Sequence, residues 1–338
     1  MSEVVVEGFE MKIVFSGVGV LGDAAIGEKF QGRFHPVGIY GKAMELVEKL
    51  IYSDEVKAGV LYLSIGIGLS STPVLGLDKI LGPLKSVKVF GVKVDRIIGI
   101  PLFLWLVNGG WQLGKVANQI GESLENGELD RAISELPSLV GRELSGLDLS
   151  QLSSAAIESV AENSVDALVA PYFYSTLFGA YGSVGYRGVN TLDAMVGKRN
   201  ERYENFGKAS ARADDLLNYI PARLAAISVV ALRPKRAFQI VKSIAKTSKG
   251  HPSPNSGVIE AAFAGALDIE IGGEVSYGGK VEKRPILGFG PKPSPSDIKR
   301  ATKLLSDMEL FFGIASVFSP LILPIAKIIK RAIKQVLK

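Results

Sequence analysis

Three groups of polar residues in this chain have the types and spacing that chemistry requires. The first is Glu158, Glu162 and Asp166, within AAIESVAENSVDALVAP. Two successive steps of four place all three carboxylates on one helical face, drifting about 40° per step. Like charges at that spacing repel mildly, so a face that carries three of them beside an apolar run suits a cation or an arginine. Magnesium takes one or two carboxylates and completes its shell with phosphate oxygens and water. A solvated helix face has the same spacing, so the pattern alone leaves both readings open.

The second group is the segment NTLDAMVGKRNERYENFGKASARADD, running from Asn190 to Asp215. It holds Asp193, Lys198, Arg199, Glu201, Arg202, Arg212, Asp214 and Asp215 among small residues. Guanidinium groups bind phosphate and carboxylate through two parallel hydrogen bonds. The adjacent Asp214 and Asp215 could hold a metal–phosphate complex, and a charged membrane-flanking loop has the same composition. The third group is GHPSPNSG, Gly250 to Gly257. Its prolines fix the backbone, and Asn255 and the glycines favour turns, so His251, Ser253 and Asn255 stand on a rigid loop. A lone histidine in a turn is by default structural. His251 and His35 are the chain's two histidines, and with no cysteine they make a weak zinc set. Two other motifs fail on inspection. GGWQLGKV, from Gly109, has P-loop spacing as far as its lysine but carries Val116 where a hydroxyl is needed. Around Ser183, Tyr181 breaks the nucleophile-elbow pattern.

These groups must be positioned by apolar segments. Five runs are candidate membrane spans: 58–77, 97–114, 165–186, 216–233 and 309–329. A span needs about 20 mostly apolar residues. Pro171 and many aromatic residues interrupt the third run, which is the one expected not to cross simply; Pro221 and Arg223 interrupt the fourth. Between the runs, 187–215 and 234–308 are long polar segments expected as functional loops. An amphipathic helix is expected over Val37–Ile51. The expected architecture is all-α: a single polytopic integral membrane helical bundle with long loops.

Composition agrees. The chain has 338 residues, 47% of them apolar, and a mean hydropathy of +0.25. A soluble protein this apolar would need an unusually large core. The formal charge is +5, from 39 basic and 34 acidic residues, but no compact basic stretch carries interleaved aromatics, which argues against nucleic acid as a partner. Basic residues flanking apolar runs suit an anionic lipid surface instead. The absence of cysteine excludes disulfides, thiol catalysis and thiolate metal sites.

Taken in order, these pieces resemble the adenosylcobinamide-phosphate synthases, integral membrane enzymes of late cobalamin biosynthesis. The matching segments are LGD with HPVGIYGKAMELVEKL, then ESVAENSVDALVAP, NTLDAMVGKRNERYENFGKASARADDLLNYIPARL, GHPSPNSGVIEAAFAGAL, IGGEVSYGG and KRPILGFG. They run from about Leu21 to Leu305. The chain departs from the family's pattern at Ser164, Lys198 and Lys208, where threonine, an aromatic residue and tryptophan are usual, and by an insertion between Asp23 and His35.

The resemblance implies a multi-pass protein of the cytoplasmic membrane that amidates adenosylcobyric acid with (R)-1-amino-2-propanol phosphate. Amide formation from a carboxylate in water is uphill, so ATP as co-substrate and Mg²⁺ are expected. The corrinoid, the amino-alcohol phosphate and membrane lipid are the expected partners. On this reading Asp193 or His251 accepts the proton of the attacking amine. Arg199, Asn200, Arg202, Arg212, Ser253 and Asn255 bind substrate and phosphate. Glu158, Glu162, Asp166, Asp214 and Asp215 hold the metal. A non-catalytic membrane signalling relative and a corrinoid transporter are the alternative classes.

Overall fold

A computed structural model describes residues 3–27, 35–84, 87–89, 92–141, 144, 146–198, 200–277 and 280–321. The chain is an α-helical membrane protein. Helix α1 (Glu3–Ile26) packs on α5 (Val94–Val107) and α14 (Pro295–Val317). Small residues set these contacts: a Cβ on Gly17 would stand 2.6 Å from that of Ser316, and one on Gly19 would stand 3.0 Å from that of Leu104. Helices in lipid associate through such close approach, because burial of apolar surface drives little there.

Among the described residues, three segments are long and apolar enough to cross a membrane: Val56–Ile80, Arg96–Glu125 and Lys208–Leu232. The first comprises α3 (Val56–Ser70) and α4 (Thr72–Ile80), and the second joins α5 to α6 (Gly110–Glu125). The third is α11 (Lys208–Leu232), continuous through Pro221. Leu61 and Leu75 on the first segment and Leu216, Ile220 and Ile227 on α11 point outward, as lipid-facing side chains do. The run 165–186 is broken. After α8 (Leu149–Ser164) comes a π turn (Val165–Val169), then α9 (Ala170–Phe178), then Gly179 at φ +69°, then α10 (Ala180–Val196). Residues 322–329 of the fifth run lie outside the described residues, and Glu309–Val317 belong to α14.

Helix α8 opens with a reciprocal cap between Asp148 and Gln151, and its side chains from Leu152 to Ala161 are buried. It packs against α6, α14 and α13 (Ser256–Leu267), whose small residues let α12 (Ala237–Thr247) come close at Gly265. Much of the segments expected as loops is regular. Residues 187–196 continue α10, and 208–215 begin α11. Residues 234–308 hold α12, α13, an antiparallel hairpin of β3 (Glu270–Tyr277) and β4 (Lys280–Gly288), and the start of α14. That hairpin and the short pair β1 (Lys88–Val89) and β2 (Val92–Lys93) are additions to an otherwise helical fold.

Helix α2 (Pro36–Ile51) is capped by His35, whose Nδ1 accepts from Val37 N at 3.1 Å. Met44 on α2, Tyr62 on α3, Leu192 and Val196 on α10, and Phe206 form a second small core, which pins the turn at 200–207. A Cβ on Gly59 would stand 2.0 Å from the carbonyl oxygen of Phe206. Gly59→Ala is therefore expected to destabilise the protein by about 1–3 kcal/mol, read as a lowered midpoint in detergent thermal unfolding.

Candidate active site

Five carboxylates drawn from four elements line one cavity of about 210 Å³. Glu162 comes from the end of α8, Asp166 from the π turn, Asp193 from α10, and Asp214 and Asp215 from the start of α11. Asn218, Ser253, Asn255 and Ser256 complete its polar lining, with Val165 and Ile259 as the apolar part. Residues separated by up to 97 positions thus meet in one place. The π turn adds a residue to the helical ladder just where Asp166 must face inward, and such bulges are frequent at functional sites.

A hydrogen-bonded ring holds the acids. Asn218 Nδ2 donates to Asp166 Oδ1 at 3.0 Å and to Asp214 Oδ2 at 2.9 Å. Asn190 Nδ2 donates to Asp214 Oδ1 at 3.2 Å, and its own Oδ1 accepts from Arg187 Nη1 at 3.0 Å. Arg187 Nη1 also reaches the Asp166 carbonyl at 3.5 Å. The Tyr186 hydroxyl lies 3.0 Å from Asp166 Oδ1 and 2.8 Å from Asn218 Oδ1, and its single proton serves one at a time. Across the cavity Ser256 Oγ donates to Glu162 Oε1 at 2.7 Å. Asn255 Nδ2 donates to the Asp215 carbonyl at 2.7 Å.

Crowding of like charges has a measurable consequence. Asp193 is pushed up to about 6, first by enclosure and then by the fields of Asp166, Asp215 and Glu162. Glu162 stands open to the cavity, yet the enclosing protein raises its pKa, as does Asp166; the Ser256 hydrogen bond opposes the shift. An oxygen-only donor set whose members repel one another fits a hard divalent cation. Among the described residues no three acidic or histidine groups converge into a preformed cage. Such a set fits a hard cation that takes one or two carboxylates and completes its shell from elsewhere.

Other expected site residues fall elsewhere. Glu158, one turn before Glu162, accepts from Ser154 Oγ at 2.6 Å and from Gly272 N at 3.1 Å, so it fastens the β3–β4 hairpin to α8. Arg202 pairs with Glu48 at 3.0 Å and stacks over Tyr52, away from the cavity. Asn200 Oδ1 accepts from Tyr203 N within a turn. Arg212 is exposed on α11, one turn before Asp215. Arg199 lies outside the described residues.

His251 does not line the cavity. Its side chain is 4% exposed, with Nε2 3.6 Å from Glu260 Oε2 and Nδ1 against the backbone of Ser253. Ser253 Oγ in turn accepts from Asn255 N and Ser256 N at the start of α13. The loop is rigid as expected, but the histidine is its internal brace. His251→Ala is expected to lower thermal stability by about 1–3 kcal/mol, while leaving the midpoint of the acidic limb of a pH–rate profile in place. Arg223, the charge within an apolar segment, holds the same loop from α11, donating to Asn255 Oδ1 at 2.8 Å and Pro254 O at 3.2 Å.

The segments that build this cavity are those of one family. A model of CobD/Cbib proteins matches residues 16–305, which includes every residue of the cavity lining. The chain belongs to the CobD/Cbib family. Similar relatives include the cobalamin biosynthesis protein CobD of Mycobacterium tuberculosis, 37% identical over 290 residues, covering 85% of this chain and 89% of the relative. The CobD proteins of Chromobacterium violaceum (36% over 296 residues, 87% and 92% covered) and Geobacter metallireducens (35% over 277 residues, 79% and 84% covered) are also similar. No solved structure matches the chain.

Within this CobD/Cbib chain, Asn190, Asn218 and Ser256 are site residues that carboxylate and guanidinium patterns do not reveal. Asn218 stands four residues after Asp214 and Asn190 three before Asp193, so each shares a helical face with an acid. That spacing is the signal that could have found the two asparagines; Ser256 meets Glu162 only through packing.

Proposed function

We propose that this protein is an enzyme of cobalamin biosynthesis in the cytoplasmic membrane. It joins the free propionate of adenosylcobyric acid to (R)-1-amino-2-propanol phosphate with consumption of ATP. The observation that carries this reading is the convergence of the family's separated polar segments on one acidic, oxygen-lined cavity.

The reaction needs the carboxylate oxygen to attack the γ-phosphorus of ATP, releasing ADP. The amine nitrogen then attacks the acyl carbon, the carbon–oxygen bond to phosphate breaks, and phosphate leaves with one proton released. Mg²⁺, held by Asp166 and Asp214 with Glu162 and Asp215 beside them, would neutralise the phosphate oxygens that these carboxylates otherwise repel. Asn190 and Asn218 fix the orientation of both metal-facing aspartates. Asp193 takes the proton from the incoming ammonium, because enclosure makes its carboxylate more basic than an ordinary one while leaving it ionised at pH 7. Ser253 faces the cavity from the braced loop, which Asn255 ties to Arg223 and to the Asp215 backbone. Arg212, exposed beside Asp215, meets phosphate at the rim.

The test is an amide-forming assay with detergent-purified protein, both substrates, ATP and Mg²⁺, read by mass spectrometry. Coupled corrinoid that disappears when either ATP or Mg²⁺ is omitted is the expected result. Binding of corrinoid by folded protein without any coupled product would contradict the reading.

A further inference from the structure

A second cavity, of about 310 Å³, lies on the other side of α10. Its walls are mainly apolar and come from the start of α2, the end of α3, the start of α4, the end of α5 and the middle of α10. Pro36, Val37 and Tyr40 of α2 and Phe103 and Leu106 of α5 are among its lining residues. The HPVG motif, whose histidine caps α2, thus supplies part of this wall. Among the described residues, one charged group belongs to the lining: Arg187.

Arg187 lines this cavity and also hydrogen-bonds to the residues that hold the acidic ring. Its Nη1 is turned toward the acidic ring, donating to Asn190, which holds Asp214, and reaching the Asp166 carbonyl. Its Nε is buried and has no hydrogen-bond partner among the described residues. A buried N–H without an acceptor is costly, and a guanidinium binds a carboxylate side-on through Nε and its neighbouring amino group. Arg187 lines the apolar cavity, so an acceptor carried through that space can reach its guanidinium. It also places that acceptor next to the cavity assigned to phosphate chemistry.

We propose that Arg187 and the apolar cavity before it form the seat of the corrinoid's propionate arm, the guanidinium holding the carboxylate that reacts. This rests on the amide-forming reading and names where its larger substrate enters. A corrin periphery of methyl and methylene groups suits the Val, Pro, Phe and Leu walls. The free acid is the substrate's one carboxylate, since its other side-chain acids are already amides. A single arginine at the end of an apolar space then selects it. Arg187 keeps the carboxylate ionised, the form that attacks phosphorus, and aims it at the metal-facing side of α10.

The test uses full-length protein in detergent. Equilibrium dialysis compares adenosylcobyric acid with its analogue whose free carboxylate is a primary amide. The wild type is expected to prefer the acid by about tenfold or more. Arg187→Lys, which keeps the charge but loses the fork, is expected to lose that preference. It should also raise the KM for the corrinoid by a similar factor, with the KM for the amino-alcohol phosphate little changed. Ala43→Trp, which fills the apolar cavity, is expected to prevent binding of both corrinoids in protein that remains monodisperse and still binds Mg²⁺.

Equal binding of acid and amide by the wild type, or a preference that survives in Arg187→Lys, overturns the seat even if amide is formed. Unchanged corrinoid binding by Ala43→Trp overturns it too and leaves the cavity to a lipid chain. An acid preference that depends on Arg187, in wild-type protein that forms no amide, leaves the seat standing and removes the proposed reaction.

Discussion

Asp193→Asn is expected to lower kcat for amide formation by about 10²–10⁴-fold, the range that a positioned general base contributes. Asparagine keeps the shape but cannot accept the ammonium proton. The pH dependence supplies a second signature. Enclosure holds Asp193 above the usual carboxylate range and a bound cation offsets its acidic neighbours, so the wild-type rate should rise with pH through an acidic limb below 6 and level off above it. The residual activity of the variant should lack that limb. Stability carries the same sign check. A carboxylate raised from its usual 3.8 to about 6 binds its proton more tightly in the folded protein. Its contribution is complete below about 3.8 and is lost as pH rises through about 6. Metal-free wild-type protein should therefore lose stability across that window, and Asp193→Asn should lose less. Full turnover by Asp193→Asn, with the acidic limb intact, would remove Asp193 from the chemistry.

Asp214→Asn carries the second large effect. Asn190 and Asn218 hold both oxygens of this carboxylate, and it shares Asn218 with Asp166. Replacing it takes one charge from the cation site and puts an amide where an N–H donor already points. The Mg²⁺ concentration for half-maximal activity should rise by about 10–100-fold, the usual cost of disturbing a metal's oriented ligands. Turnover at saturating Mg²⁺ should recover in part. An unchanged Mg²⁺ requirement would place the cation elsewhere.

The contrast between these residues and His251 shows what sequence can carry. Helical periodicity and apolar run length made the bundle legible, because both are local consequences of a 3.6-residue repeat and of hydrocarbon thickness. Glu162 and Asp166 stood out by their four-residue spacing, and Asp193, Asp214 and Asp215 within a charged segment spaced by small residues; all five line one cavity. Their meeting was not legible, since it depends on how α8, α10, α11 and α13 pack. The resemblance made His251 a candidate proton acceptor and Arg202 a candidate phosphate binder. Their side chains are taken by Glu260 and by Glu48 with Tyr52, partners distant in sequence or indistinguishable there from solvated acids. Glu158 obeyed the four-residue spacing and still left the cavity, because a hairpin that periodicity did not predict covers it. The break at Gly179 was foreshadowed by Pro171 and the aromatic residues, but it occurs where a positive φ requires glycine.

The central claim is that this acidic cavity gathers metal and phosphate. Mn²⁺ in place of Mg²⁺ tests it most directly, by electron–nuclear double resonance on the folded protein with the amino-alcohol phosphate bound. A phosphorus coupling to Mn²⁺ in the wild type, abolished when Asp166→Asn and Asp214→Asn are combined, is the predicted result. A coupling of unchanged strength in that double variant would contradict the account.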